Sequence, residues 1–273
     1  MNQLQELGEV IVAVSIVELS FVTFALLALG LFGLVRPHYA VAATCFVGWV
    51  LLPVGNFPAG STNAVFPFWI IGTALPSDML LTKMWWPPVV AVVGMLVADR
   101  ERIKTFRPAW ADAAMALWCL WPLLQWSLVE NSDPAAAIAS LYLVGAWGAP
   151  WLLGRIYFAG PEGRRLFIMS LTATLILVVP IAIIEGIVGP QCYSWIYESH
   201  PFRFDGAPRY IGFRPIGFFE HGNQYGIWVA AAALAAIWLF LSVAQGRQRD
   251  WALVCAILAS LVAVASQSVG AIL

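Results

Sequence analysis

The stretch RYIGFRPIGFFEHGNQYGIW, residues 209–228, gathers Arg209, Arg214, Glu220, His221 and Asn223 among aromatics and glycines. Guanidinium forks bind phosphate oxygens in pairs. Asn223 opens a long apolar run, and Gly222 and Asn223 both suit the cap of a helix that starts there. The first turn of such a helix carries unpaired N–H groups and the positive end of its dipole, which favour an anion. Arg214 and His221, just ahead of that turn, are the candidate reactive pair of a phosphate or diphosphate site. Arg203, Arg209, Glu220 and Asn223 are the candidate binding residues around it. Each has a plainer reading when taken alone. Asn223 is a helix cap, a lone interfacial arginine anchors lipid phosphate, and His200 and His221 are ordinary loop residues. The combination lifts the stretch above those readings.

The elements that must hold this stretch are membrane helices. The chain has 273 residues, 61% of them hydrophobic and 11% charged, with a mean hydropathy of +0.82. Soluble domains carry about 25% charged residues. Apolar runs lie at 12–35, 39–55, 85–98, 110–129, 135–153, 166–187, 223–244 and 251–273. They are too continuous for alternating barrel strands. The expected fold is therefore an all-α, polytopic integral membrane protein of about eight spans in a single helical domain. The net charge of −1 gives no reason to expect a nucleic-acid partner. Cys45, Cys119 and Cys255 lie in apolar runs and only Cys192 lies in a loop, so neither a disulfide framework nor zinc spacing is present. Glu6, Glu9 and Glu18 stand where a signal peptide would be basic.

Lys and Arg set the orientation. The links 99–108, 154–165 and 245–250 are basic, as is Arg36, and all read as cytoplasmic; the acidic ENSDP link reads as outside. Parity between Arg36 and Arg100 makes 56–84 an outer loop, with Trp69, Trp85 and Trp86 as interfacial aromatics, and puts the N-terminus outside. Residues 188–222 then form the second outer loop. Of the 14 Lys and Arg, only Lys83, Arg203, Arg209 and Arg214 fall outside. The three arginines share the 188–222 loop, against the usual bias, which suggests an anionic partner there. Most aromatics of that loop (Tyr193, Trp195, Tyr197, Phe202, Phe204, Tyr210, Phe213, Phe218, Phe219) are expected to be bilayer anchors. Glu18 and Glu185 lie near span ends and are expected to reach water, and Asp112 to sit at the inner interface. The apolar run at Leu273 has no stop signal, so a longer parent protein is expected.

The run from Arg214 to Asn223, RPIGFFEHGN, resembles the R-P-x-G-x-F-x-H-x-N signature that opens a transmembrane helix in bacterial O-antigen ligases and polymerases. SQSVGAIL, 266–273, is similar to that family's following S-R-G-A motif, with Val269 where arginine is usual. The resemblance covers the layout of the whole chain, but its specific motifs lie in 209–273. It implies a metal-independent, inverting glycosyltransferase of the bacterial inner membrane with no cofactor. The donor would be a glycan on undecaprenyl diphosphate, and the acceptor a hydroxyl on a glycan, lipid or protein. Arg214 takes the leaving-group role by motif match, and Arg209 lies outside the pattern. His221 matches the motif histidine, whereas the family's acceptor-activating histidine lies on a later outer loop that these residues do not include.

No D-x-D pair occurs, so no Mg²⁺ or Mn²⁺ site is expected. Leaving-group stabilisation by cations and a helix N-terminus suits transfer from a lipid diphosphate. The alternative is a transporter or flippase for a lipid-linked or anionic solute, which would show buried charges or broken helices at mid-membrane. The span middles here are nearly free of charge, which favours chemistry at the outer face. A structural membrane subunit is the third reading.

Overall fold

The computed structural model describes residues 15–55, 80–128, 136–197, 200, 212–242, 246–266 and 268. Among them the named elements are all helices, and an isolated antiparallel bridge joins Gly55 and Thr82. The helices are α1 (Ile16–Leu34), α2 (Pro37–Leu51), α3 (Trp86–Ala98), α4 (Arg100–Lys104), α5 (Trp110–Leu128), α6 (Ala136–Phe158), α7 (Pro161–Val188), α8 (Cys192–Ile196), α9 (Gly222–Ser242) and α10 (Arg247–Ala265).

Each long helix coincides with an apolar run, but only α1, α6, α7, α9 and α10 are long and apolar enough to cross a membrane. The structure thus supports a multi-pass helical membrane protein with five such helices among the described residues, not the eight expected. The run 39–55 ends in the turn at Leu52–Gly55, which leaves α2 with 15 residues. Helix α3 has 13. At ~1.5 Å per residue these fall short of the ~30 Å hydrocarbon layer. Helix α5 has 19 residues but is not among the five.

Sequence-local devices start these helices. Ser15 and Glu18 form a capping box at α1, so the Glu18 carboxylate accepts the Ser15 N–H, a role the expected exposure to water did not include. Prolines occupy the first turns of α2, α3 and α7, where their missing N–H costs nothing. Helix α7 is interrupted at Thr174, whose hydroxyl bonds the Leu171 carbonyl and so competes with the backbone ladder.

The basic links share one end of the bundle. Tyr157 donates to Asp99 at 2.9 Å, and Arg102 lies over the Tyr157 ring. Arg155 pairs with Asp112 at 3.1 Å and also reaches the Arg107 carbonyl. Arg165 reaches Gln248. At the opposite end stand the Gly55–Thr82 bridge, α8 and the 212–221 loop. The bridge brings Gly55 and Thr82 together; most of the expected 56–84 outer loop, residues 56–79 with Trp69, lies outside the described residues. Trp85 and Trp86 are half-buried, and each indole N–H donates to a helix carbonyl, those of Leu141 and Phe21. Cysteines introduced at Ser194 and Gln248, both exposed, should react with a membrane-impermeant maleimide from opposite sides of a sealed vesicle. Labelling of both from one side would refute this arrangement.

Candidate functional site

Residues 212–221 form a turn held from three directions. Helix α7 contributes Glu185, which is fully buried. Its Oε2 accepts the N–H groups of Ile216 and Gly217, each at 2.7 Å, and its Oε1 accepts that of Cys192 at 3.1 Å. The expectation that Glu185 reaches water is therefore wrong. Its place one turn before the helix end lets it turn inward to the loop instead. The Phe213 N–H bonds the Gly186 carbonyl beside it. Gly217 makes the turn itself, at a φ of 59° that favours glycine.

Lys83 holds the other side. It is fully buried, and its Nζ donates to the Phe218 carbonyl at 2.6 Å. The ammonium lies 4.4 Å from the Phe219 ring centroid and 5.8 Å from that of Trp49. Burial pushes its pKa down to about 7, and the Glu220 charge offsets part of that. Burial also raises the Glu220 carboxyl, with Lys83 acting the other way. Glu220 is half-buried, and its charge is within range of Lys83. His200 supplies the third hold through a 3.0 Å contact of Nε2 with the Phe219 carbonyl. The turn thus has a carboxylate on its N–H groups and a cation and an imidazole on its carbonyls.

The aromatics of this region belong to the core. Tyr193, Tyr197 and Phe218 are buried and meet edge to face or tilted, and Phe219 packs on Tyr225 and Trp228. Trp195 is exposed and keeps the anchor reading. Tyr193, Tyr197, Phe218 and Phe219 depart from the anchor expectation: α8 and its cap residue turn the two tyrosines inward, and the turn at Gly217 lays the two phenylalanines against the bundle. Phe202, Phe204, Tyr210, Arg203 and Arg209 lie outside the described residues.

Arg214, His221 and Asn223 do come together. The Arg214 guanidinium donates to Asn223 Oδ1. It also lies against Gly222, where an added Cβ would come within 2.5 Å of its Nε. The cap of α9 is His221, not Gly222 or Asn223. The His221 carbonyl accepts the Tyr225 N–H, and its Nδ1 accepts the Asn223 N–H at 3.0 Å. With Nδ1 accepting, the proton of the neutral ring sits on Nε2. Gln224 closes the cap by accepting the Glu220 N–H. Asn223, released from capping, points its side chain at Arg214 and Ser268.

Ser268 completes the cluster. Its Oγ donates to Asn223 Oδ1 at 3.2 Å, and Ser266 and Ser268 are both buried. Gly226 allows this approach, since a Cβ there would come within 2.6 Å of the Ser268 Cβ. Ser268 and the Arg214–Asn223 segment, read in the sequence as separate motifs, meet at the Asn223 oxygen, whereas the Ser266 hydroxyl donates to the Ala263 carbonyl of its own helix. Neither Glu185 nor Lys83 was recognised from sequence as part of this region's architecture. A charged residue in a nearly uncharged chain was the available signal. The chain matches no known protein family, no curated protein and no solved structure.

Proposed function

We propose that this protein is an O-antigen ligase- or polymerase-like glycosyltransferase that uses a glycan on undecaprenyl diphosphate at the outer face of the bacterial inner membrane. The observation that carries the reading is the Arg214–Asn223–Ser268 cluster, in which the two segments resembling the family's motifs share the Asn223 oxygen. Outer placement follows from the positive-inside rule, because the basic links stand at the opposite end. The acceptor hydroxyl attacks the anomeric carbon, and the bond from that carbon to the diphosphate oxygen breaks. The diphosphate leaves with the electron pair, and the hydroxyl proton passes to a base. Arg214 stabilises the charge that develops on the leaving oxygen, helped by the positive end of α9.

The test is reconstitution of the full-length protein in vesicles with an undecaprenyl-diphosphate-linked oligosaccharide and a hydroxyl acceptor. Glycan appearing on the acceptor, with undecaprenyl diphosphate released, is the expected result. A transporter for an anionic lipid or solute is the second reading, favoured by the fully buried Lys83. Its place at the loop end of the bundle, bonded to the loop, argues for support of a site over passage. Transbilayer movement of the donor without transfer would choose the transporter.

Gly222→Ala probes the cluster without removing a polar group. Alanine suits a helix better than glycine, so the fold should hold. The new methyl must displace the Arg214 guanidinium. Undecaprenyl diphosphate binding should weaken about tenfold, a loss of roughly 1.4 kcal/mol, with the unfolding temperature unchanged. Titration in nanodiscs and a thermal melt check both.

A further inference from the structure

We infer that Lys83 is a positioning residue for the diphosphate site: its ammonium holds the Phe218 carbonyl and thereby sets the loop that carries Arg214. The inference rests on the diphosphate reading of that site and adds to it a residue far away in sequence, 135 positions from its acceptor.

The geometry leaves Lys83 little other purpose. Its own backbone N–H donates to the Val54 carbonyl, and its neighbour Thr82 bridges Gly55, so its main chain is fixed to the end of α2. From that fixed point the side chain runs wholly inside the protein to the turn. It ends between Phe218 and the faces of Phe219 and Trp49. A buried ammonium without such partners would be costly. Phe218 lies four residues after Arg214 and three before the α9 cap, so a shift of its carbonyl moves both sides of the cluster. The carbonyl bond is strongest while the amine is charged. The charged form prevails below a pH of about 7, and the proton leaves as pH rises past it. The hold is therefore firm below about 7 and relaxes above. The other titratable groups facing this region are Glu220 beside Lys83, Tyr142 within range of the Glu220 charge, His200 on Phe219 and Glu185 under the turn.

The experiment measures undecaprenyl diphosphate binding by the full-length protein in nanodiscs between pH 6.5 and 8.5, together with amide hydrogen exchange over residues 213–220 corrected for intrinsic rates. Wild type should lose about tenfold in affinity across that range, the scale of one charge-assisted hydrogen bond, and exchange in the loop should rise in step. Lys83→Met should already be weakened at pH 6.5 and show no further change. The double variant Lys83→Met, Glu220→Gln should behave as Lys83→Met does, without leaving an unpaired buried charge. His200→Gln should keep the wild-type pH dependence. Lys83→Met with wild-type affinity and wild-type exchange at pH 6.5 would overturn the inference while leaving the site intact. Failure of wild type to bind undecaprenyl diphosphate at any pH would count against the diphosphate reading. In that case the exchange data alone decide whether Lys83 holds the loop, and unchanged exchange in Lys83→Met rejects it.

Discussion

Arg214→Ala in the full-length protein should reduce glycan transfer at least a hundredfold while leaving its membrane level and unfolding temperature unchanged. Removing one preorganised group that stabilises transition-state charge costs about 10²–10³ in rate. The side chain is only partly buried, and its partners include the Asn223 oxygen and the surface of Gly222. Truncation therefore opens no core cavity. Arg214→Lys should restore little, because a point charge lacks the planar fork that can hold Asn223 and a phosphate oxygen together. Asn223→Ala should fall between the two. It removes the oxygen that orients Arg214 and accepts from Ser268, yet leaves the α9 cap, which belongs to His221. Arg203→Ala removes an equal charge from the same stretch of chain and serves as the control. Equal losses in Arg214→Ala and Arg203→Ala would mean that the loop acts through general charge. No loss in either would remove the enzyme reading of this loop.

What was legible in the sequence was local. Apolar runs of helical length become helices because each residue's partner lies four positions away, and the capping box at Ser15 follows the same logic. Membrane class followed from composition. The span count did not, because an apolar run says nothing about where a turn such as Leu52–Gly55 will end a helix. Arg214, His221 and Asn223 were found because they lie within ten residues of one another. Their roles shifted once the backbone was known, since a histidine took the cap that asparagine usually takes. Lys83 and Glu185 were missed as supports because their acceptors and donors come from residues distant in sequence. Nothing in the pattern around either residue encodes that pairing.

Glu185→Leu should destabilise the protein more than any other single change in this region, and should do so before any question of catalysis arises. Three backbone N–H groups converge on the Glu185 carboxylate, from Ile216, Gly217 and Cys192. Leucine accepts none of them. Each buried donor left without a partner costs about 1–3 kcal/mol, so the total should be roughly 3 kcal/mol or more. That is a large part of the 5–15 kcal/mol that separates folded from unfolded domains. Water cannot easily substitute, because Glu185 is fully buried. Glu185→Gln should lose about half as much. Its single amide oxygen can still accept, but its NH₂ group would face an N–H donor. The glycine turn should open first, since Ile216 and Gly217 lose the acceptor that fixes them, and Arg214 would then leave Asn223. Thermal unfolding in detergent and amide exchange at 192, 216 and 217 report the two stages. The contrast with Arg214→Ala is diagnostic: one variant should be stable and inactive, the other inactive because the loop has come loose. Unchanged unfolding and unchanged exchange in Glu185→Leu would show that the loop is held by other contacts, and that Glu185 is not its anchor.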